Sequence, residues 1–148
     1  MSKTQKIHKV VKQWLEHAEE DLRLAKHAFR LSSSCPYKLV AFHAQQCAEK
    51  YLKALLVWKG IPFPKTHDLP SLMAILPEDL HNLLTGEEQE LLTEYATVTR
   101  YPGGYEDITL SEARSAVRVA RRIRKDIRAL LPREVLQSER KKMQRRRK

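Results

Sequence analysis

Residues 42–56 read FHAQQCAEKYLKALL. Within them Gln46, Glu49, Lys50 and Lys53 recur at i, i+3, i+4 and i+7, the spacing that puts side chains on one face of an α-helix. Glu49 precedes Lys53 by four residues, the favoured orientation for an intrahelical ion pair. Two readings are open: the solvated face of a helix, or the wall of a groove in which one carboxylate and two ammonium groups meet a ligand. Arg100 stands where a helical pattern gives way to Pro102-Gly103-Gly104, and a guanidinium there can grip a phosphate through two parallel hydrogen bonds. It can equally form a salt bridge to Asp21 or Glu49, or cap its own helix. His67, beside Asp68, either takes part in chemistry or braces a turn. Tyr105 can donate a hydrogen bond, but a phenol with an ordinary pKa near ~10 is a poor base at neutral pH. The six histidines show no HExxH spacing and the cysteines are not paired as ligands, so neither a metal site nor a cofactor is expected. No GxxxxGK[ST] or GxGxxG occurs, and four glycines in all leave no room for a phosphate-cradling loop of that type.

These residues need helices to position them. A first helix is predicted from about His8 to Leu31, with Val11, Trp14, Leu15, Ala18, Leu22, Ala25 and Phe29 at helical spacing. Ser32-Ser33-Ser34 breaks it, and Ser34 is suited to cap the next helix, with Pro36 in its first turn. That second helix is predicted over Pro36–Lys59 and carries the polar stripe. Val40, Ala44, Cys47, Tyr51, Ala54, Leu55 and Trp58 lie on one side of it, with further leucines on another, so it should be central. Gly60 and the prolines at 62 and 64 force a loop. A short helix capped by Asp68 is predicted near Pro70–Leu76, and a fourth over about Glu87–Thr99. The last helix starts at Thr109 with Glu112 at capping-box spacing and ends at Pro132. Its buried side is expected to run Ala113, Ala116, Val117, Ala120, Ile123, Ile127 and Leu130. Its other side is a basic row: Arg114, Arg118, Arg121, Arg122, Lys125 and Arg128. The row is either a nucleic-acid surface or a solvated face, and its continuation into RKKMQRRRK, with Arg145, Arg146 and Arg147, favours a polyanion partner.

The charge distribution points the same way. Of the 28 Lys+Arg and 18 Asp+Glu, residues 112–148 hold 15 and 4, so the excess of +10 lies in the last helix and tail while residues 1–111 are at −1. Residues 133–148 are expected to form a disordered basic tail behind a domain of residues 1–132. No run approaches the ~18 apolar residues of a membrane span, and the N-terminus lacks an apolar leader core. Cys35 and Cys47, roughly 18 Å apart if they share a helix, should not bridge, so a reduced cytoplasmic protein without membrane contact is expected.

Several segments, in order along the chain, resemble the HEPN family. AEEDLRLA (18–25) is similar to its first helix, with Asp21 as the acidic residue. QQCAEKYLKAL (45–55) resembles the second-helix signature, and Thr66-His67-Asp68-Leu69 the T-H-D-L segment. YATVTRY (95–101) is similar to the stretch holding the family's arginine, here Arg100, and EARSAVRVA to the closing helix. The resemblance implies an all-α, up-and-down bundle of four to five helices, usually a homodimer, with Asp21, Gln46, Glu49, Lys50, Lys53 and Arg100 around a ligand. Many members resemble metal-independent endoribonucleases that use an Arg, four to six residues, then a His. Here the matching positions are Tyr105, Glu106 and Asp107, and the last histidine is His81. The general acid–base imidazole is therefore missing. Catalysis, if any, would fall to Arg100, Tyr105 or His67. Other members accompany small nucleotidyltransferases in toxin–antitoxin-like pairs. The expectation is thus a nucleotide- or RNA-binding module with such a partner. The alternatives are an endoribonuclease with a modified site, and a nucleic-acid-associated protein working through its basic tail.

Overall fold

The helical period of Val11, Leu15, Ala18, Leu22 and Ala25 produces α1 (Lys3–Ala28), in which all five are buried. Our computed structural model describes residues 1–31, 33–98 and 107–137. Arg100, Tyr105, Arg145, Arg146 and Arg147 lie outside the described residues. After α1 come α2 (Tyr37–Trp58), α3 (Leu69–Ala74), a 3-10 turn (Glu78–Leu83), α4 (Gly86–Val98), α5 (Leu110–Arg128) and α6 (Arg133–Leu136). The chain is an all-α bundle, as expected, and among the described residues no helix is long and apolar enough to cross a membrane.

Local signals account for most boundaries. α1 begins well before His8 because Ser2 and Gln5 form a reciprocal capping box, at 2.8 and 3.1 Å. Ser34 does not cap α2; it adopts a left-handed φ of 61°, and the helix starts after Pro36 without a side-chain cap. Gly60 closes α2 at φ 70°, a conformation that favours glycine. Thr85 and Glu88 form a second capping box at the head of α4, and Thr109 caps α5 through the Glu112 amide.

α2 is the axis of the bundle. α1 runs antiparallel along it, as the ring contact His8–Trp58 and the Asp21–Lys50 and Ala28–Cys35 hydrogen bonds require. α4 and α5 cover two further sides, and Ala44, Cys47, Ala48, Tyr51, Leu52, Ala54, Leu55 and Leu56 are all at 0% exposure. Full desolvation of each such leucine contributes about 1.5–3 kcal/mol.

Two arginines of the expected basic row, and one outside it, tie α5 to neighbouring elements, although Arg122 itself remains exposed. Arg122 makes a bidentate pair with Glu88 at 2.7 and 2.8 Å and also donates to the Leu83 carbonyl. Those bonds hold the Glu88 carboxyl below its ordinary value. Arg124 donates to Glu19 of α1 at 2.6 Å, and the Tyr51 hydroxyl donates to the same carboxylate. Burial raises the Glu19 pKa, but the bonds from Tyr51 and Arg124 outweigh it and the net shift is downward. Arg128, expected on the exposed face, is half-buried and reaches the Tyr51 hydroxyl at 3.5 Å and the Leu136 carbonyl at 3.4 Å. Packing also continues past Pro132, where a tail was expected to begin: Val135 of α6 is 2% exposed.

The Pro-rich loop after α2 is fastened by a buried polar network. Glu49, 2% exposed, accepts from Lys53 at 3.1 Å and Gln45 at 3.0 Å, and pairs with His67 Nδ1 at 2.9 Å. The Lys53 ammonium lies 5.4 Å from the Trp14 ring centroid and 6.0 Å from that of Phe63. Removing one partner leaves an uncompensated buried charge, at a cost of about 3–5 kcal/mol. Urea unfolding should therefore show Glu49→Met destabilised by that order and the double variant Glu49→Met/Lys53→Met recovering most of the loss. Equal stability of the single variant and wild type would show that the pair does not hold the loop.

Candidate functional site

Beyond its first turn, α2 is open on one side only. At 100° per residue Leu39, His43, Gln46, Lys50 and Val57 fall together. Leu39 is 48% exposed, while His43, Lys50 and Val57 are half-buried. Asp21 reaches this strip from α1. Its Oδ1 lies 2.8 Å from His43 Nδ1, and its Oδ2 accepts from Lys50 Nζ at 2.5 Å. The side chains retain 11% exposure for Asp21, 23% for His43 and 20% for Lys50, so the cluster is held by the fold yet open to solvent.

The chemistry follows from the partners. A carboxylate accepts only, so the proton of a neutral His43 sits on Nδ1 and leaves Nε2 as the lone-pair nitrogen. A carboxylate-oriented imidazole with one free nitrogen is the arrangement used for proton transfer. Lys50 spends one of its three donors on Asp21 and keeps the others for an anion. The sequence motifs did not single out His43. Its signal was present in the register: it lies three residues before Gln46 and seven before Lys50, so the polar stripe extended one turn back reaches it.

The stripe itself divides. Lys50 edges the open face, and Gln46, 8% exposed, donates at 2.8 Å to Gln45 and so joins the Glu49 network. Glu49 and Lys53 are internal, which corrects their placement on a solvated or groove-lining face: α3, α4 and the loop after α2 cover that side. Asp21 and Lys50, both expected around the ligand, are brought together. Arg100 lies outside the described residues, but the chain is described again from Asp107, which lies 3.9 Å from Lys38 in the first turn of α2. His67 uses Nδ1 to hold Glu49, while Asp68 caps α3 through the Ser71 amide and its own amide donates to Thr66. The T-H-D-L segment thus supplies a turn, a brace and a helix cap. Among the described residues no group of three His, Cys, Asp or Glu side chains is placed to hold a metal ion. Arg114, Arg118, Arg121 and Lys125 are exposed along α5.

Comparison with known proteins places this geometry. A model of the HEPN domain matches residues 11–130, from α1 to the end of α5. The Methanocaldococcus jannaschii protein named "Putative toxin MJ1304" is 32% identical over 107 residues, a match spanning 66% of this chain and 66% of that relative. The crystal structure of TT1696 from Thermus thermophilus superposes with a TM-score of 0.69 at 32% identity, over 82% of this chain and 98% of that one. ST0689, described as an archaeal HEPN homologue, gives a TM-score of 0.59 at 29% identity, over 81% and 96%. With the family model covering every helix that builds the α2 site, the chain belongs to the HEPN domain family.

Proposed function

We propose that this HEPN domain binds a nucleotide or an RNA phosphate on the open face of α2, as a homodimer, and acts with a small nucleotidyltransferase in a toxin–antitoxin-like pair. The observation that carries the binding reading is the Asp21–His43–Lys50 cluster, which is held by the fold yet open to solvent beyond the first turn of α2. Lys50 and Arg100 anchor the phosphate in this reading, His43 and Gln46 contact sugar or base, and Glu49 with Lys53 stiffens the wall behind. The relative named as a toxin supports the paired role. Two free cysteines, Cys35 and Cys47, support a reducing cytoplasmic setting. The dimer reading rests on exposed apolar side chains, with Leu24 and Leu31 at 54% and Leu39 at 48%.

A second reading is favoured by one contact. The imidazole absent after Arg100 is available at His43, already paired with Asp21 at 2.8 Å. His43 Nε2 would take the proton from a ribose 2′-hydroxyl as its oxygen attacks phosphorus, the P–O5′ bond would break with the 5′-oxygen taking a proton from the imidazolium or water, and Arg100 or Lys50 would stabilise the charge on the phosphate.

Calorimetric titration with nucleoside triphosphates and short RNA separates these ideas. Lys50→Ala and Arg100→Ala should each weaken binding roughly ten- to a hundredfold, the loss of one charge-assisted contact, while Lys59→Ala leaves it unchanged. No binding to wild type would sink the module. Metal-free cleavage of RNA that disappears in His43→Gln but persists in His67→Gln would establish the enzymatic reading; absence of turnover in wild type removes it. Light scattering should report about twice 17.3 kDa for the chain in solution, and a monomer at tens of micromolar would overturn the dimer.

A further inference from the structure

A second polar surface lies on the far side of α1 from the α2 face. α1 and α5 both rest on α2 but barely touch each other, and α6 closes one end of the space between them. The result is a trough of about 1100 Å³ floored by Leu15, Leu22, Val135 and Leu136. It runs on into a neighbouring hollow lined by Phe29 and Val117, and Lys26 and Arg121 line both. The two helices are antiparallel here, since Glu19 meets Arg124 while Lys26 and Phe29 lie beside Arg114 and Arg118.

The charges are sorted along the trough. Glu16, Glu19 and Glu20 gather at the end nearer α6, and Glu19 is already satisfied by Arg124 and Tyr51. The other end carries Arg23, Lys26 and Arg30 on the α1 wall and Arg114, Arg118 and Arg121 on the α5 wall. All six are exposed, and none has an ion pair among the described residues. Each row spans eight residues of helix, a rise of roughly 10 Å. Like charges at i, i+3, i+4 and i+7 repel, which destabilises both helices slightly. A ligand of opposite sign that lies between the rows relieves this on both at once.

We infer that the basic half of the α1–α5 trough is a track for a nucleic-acid strand, held through its phosphates. Guanidinium groups supply five of the six cations, and their fork matches a phosphate edge. A phosphodiester backbone bears charge at every unit, which suits two rows with no acidic residue interleaved. Phe29 in the floor offers a half-buried ring for a base. An acidic amphipathic helix would need a broad apolar floor, and at this end only Leu22, Phe29 and Val117 provide one. The track is separated from Asp21, His43 and Lys50 by the width of α1, so it does not rest on the α2 reading. Its role is to hold a strand across the domain independently of what the α2 face does.

The test uses the full chain and a fluorescent 20-nucleotide oligo(U) RNA, with anisotropy read at several salt concentrations. Arg23→Ser/Arg30→Ser and Arg118→Ser/Arg121→Ser should each weaken binding by roughly tenfold or more. Each should also lower the log–log salt slope by about 1.4, the release expected for two phosphates on a single strand. Lys59→Ser/Lys65→Ser, which removes two exposed charges elsewhere, should change neither by more than about a fifth of that. Circular dichroism checks that helicity is kept, and exposed positions on both walls give two independent chances of a folded variant. Wall variants that bind like wild type, or an equal loss in the Lys59/Lys65 control, would overturn the track. So would displacement of the RNA by poly-glutamate at the same charge concentration, which would assign the trough to an acidic polypeptide.

Discussion

A helix buried on nearly every side cannot hand its polar side chains to water, and α2 carries Gln45, Gln46, Glu49, Lys50 and Lys53 in its middle. Each needs a partner inside the protein, because an unpaired buried charge costs several kcal/mol. The positions of the other elements answer that need. The loop after α2 must bring His67 to Glu49. α1 must lie close enough for Asp21 to meet Lys50 and His43. α1 and α5 must approach near Tyr51, whose phenol pKa is driven up by burial and by the Glu19 carboxylate. The polar content of one helix therefore fixes how α1, α5 and the loop after α2 can pack around it.

α5 shows how the same residue type serves two purposes on one amphipathic helix. Arg122 and Arg124 sit beside the seam and find carboxylates on α4 and α1. Arg114, Arg118 and Arg121 sit farther out and stay in solvent. The carboxylates decide the division, since Glu88 and Glu19 are half-buried next to the first two, and among the described residues no carboxylate pairs with the other three. Partly buried bidentate pairs resist exchange with water better than exposed ones. The basic surplus of the sequence is thus partly structural cement and partly free surface.

The site we propose sits where the burial of α2 fails. Leu39, His43, Lys50 and Val57 are reachable because, among the described residues, no helix covers that strip. The cluster there is held by a single carboxylate from α1, which fixes the imidazole orientation and leaves donors and a lone pair for a ligand. The side chains that look most active in the sequence, Glu49 and Lys53, are instead consumed in holding a loop.

Period, caps and breakers were legible in the residues: the apolar spacing of α1, the apolar breadth of α2, Asp68 and Thr109 as caps, Gly60 as a stop. These are local effects, fixed by neighbours within about four residues, so the sequence by itself determined an all-α bundle with α2 at its centre and a basic last helix. The Ser2–Gln5 box was equally local and was there to be seen. Which polar residues face water was not local. Glu49 and Lys50 are adjacent in sequence and 100° apart on the helix, and only the loop at residues 61–68 and the course of α1 decide that one is sealed and the other open. Likewise Arg122 and Arg121 differ by one position, and only the placement of Glu88 on α4 makes one a clasp and leaves the other free. His43 became a candidate because Asp21, 22 residues away in sequence, arrives beside it. A carboxylate contributed by another helix carries no mark in the histidine's own neighbourhood, so tertiary structure alone made that pair.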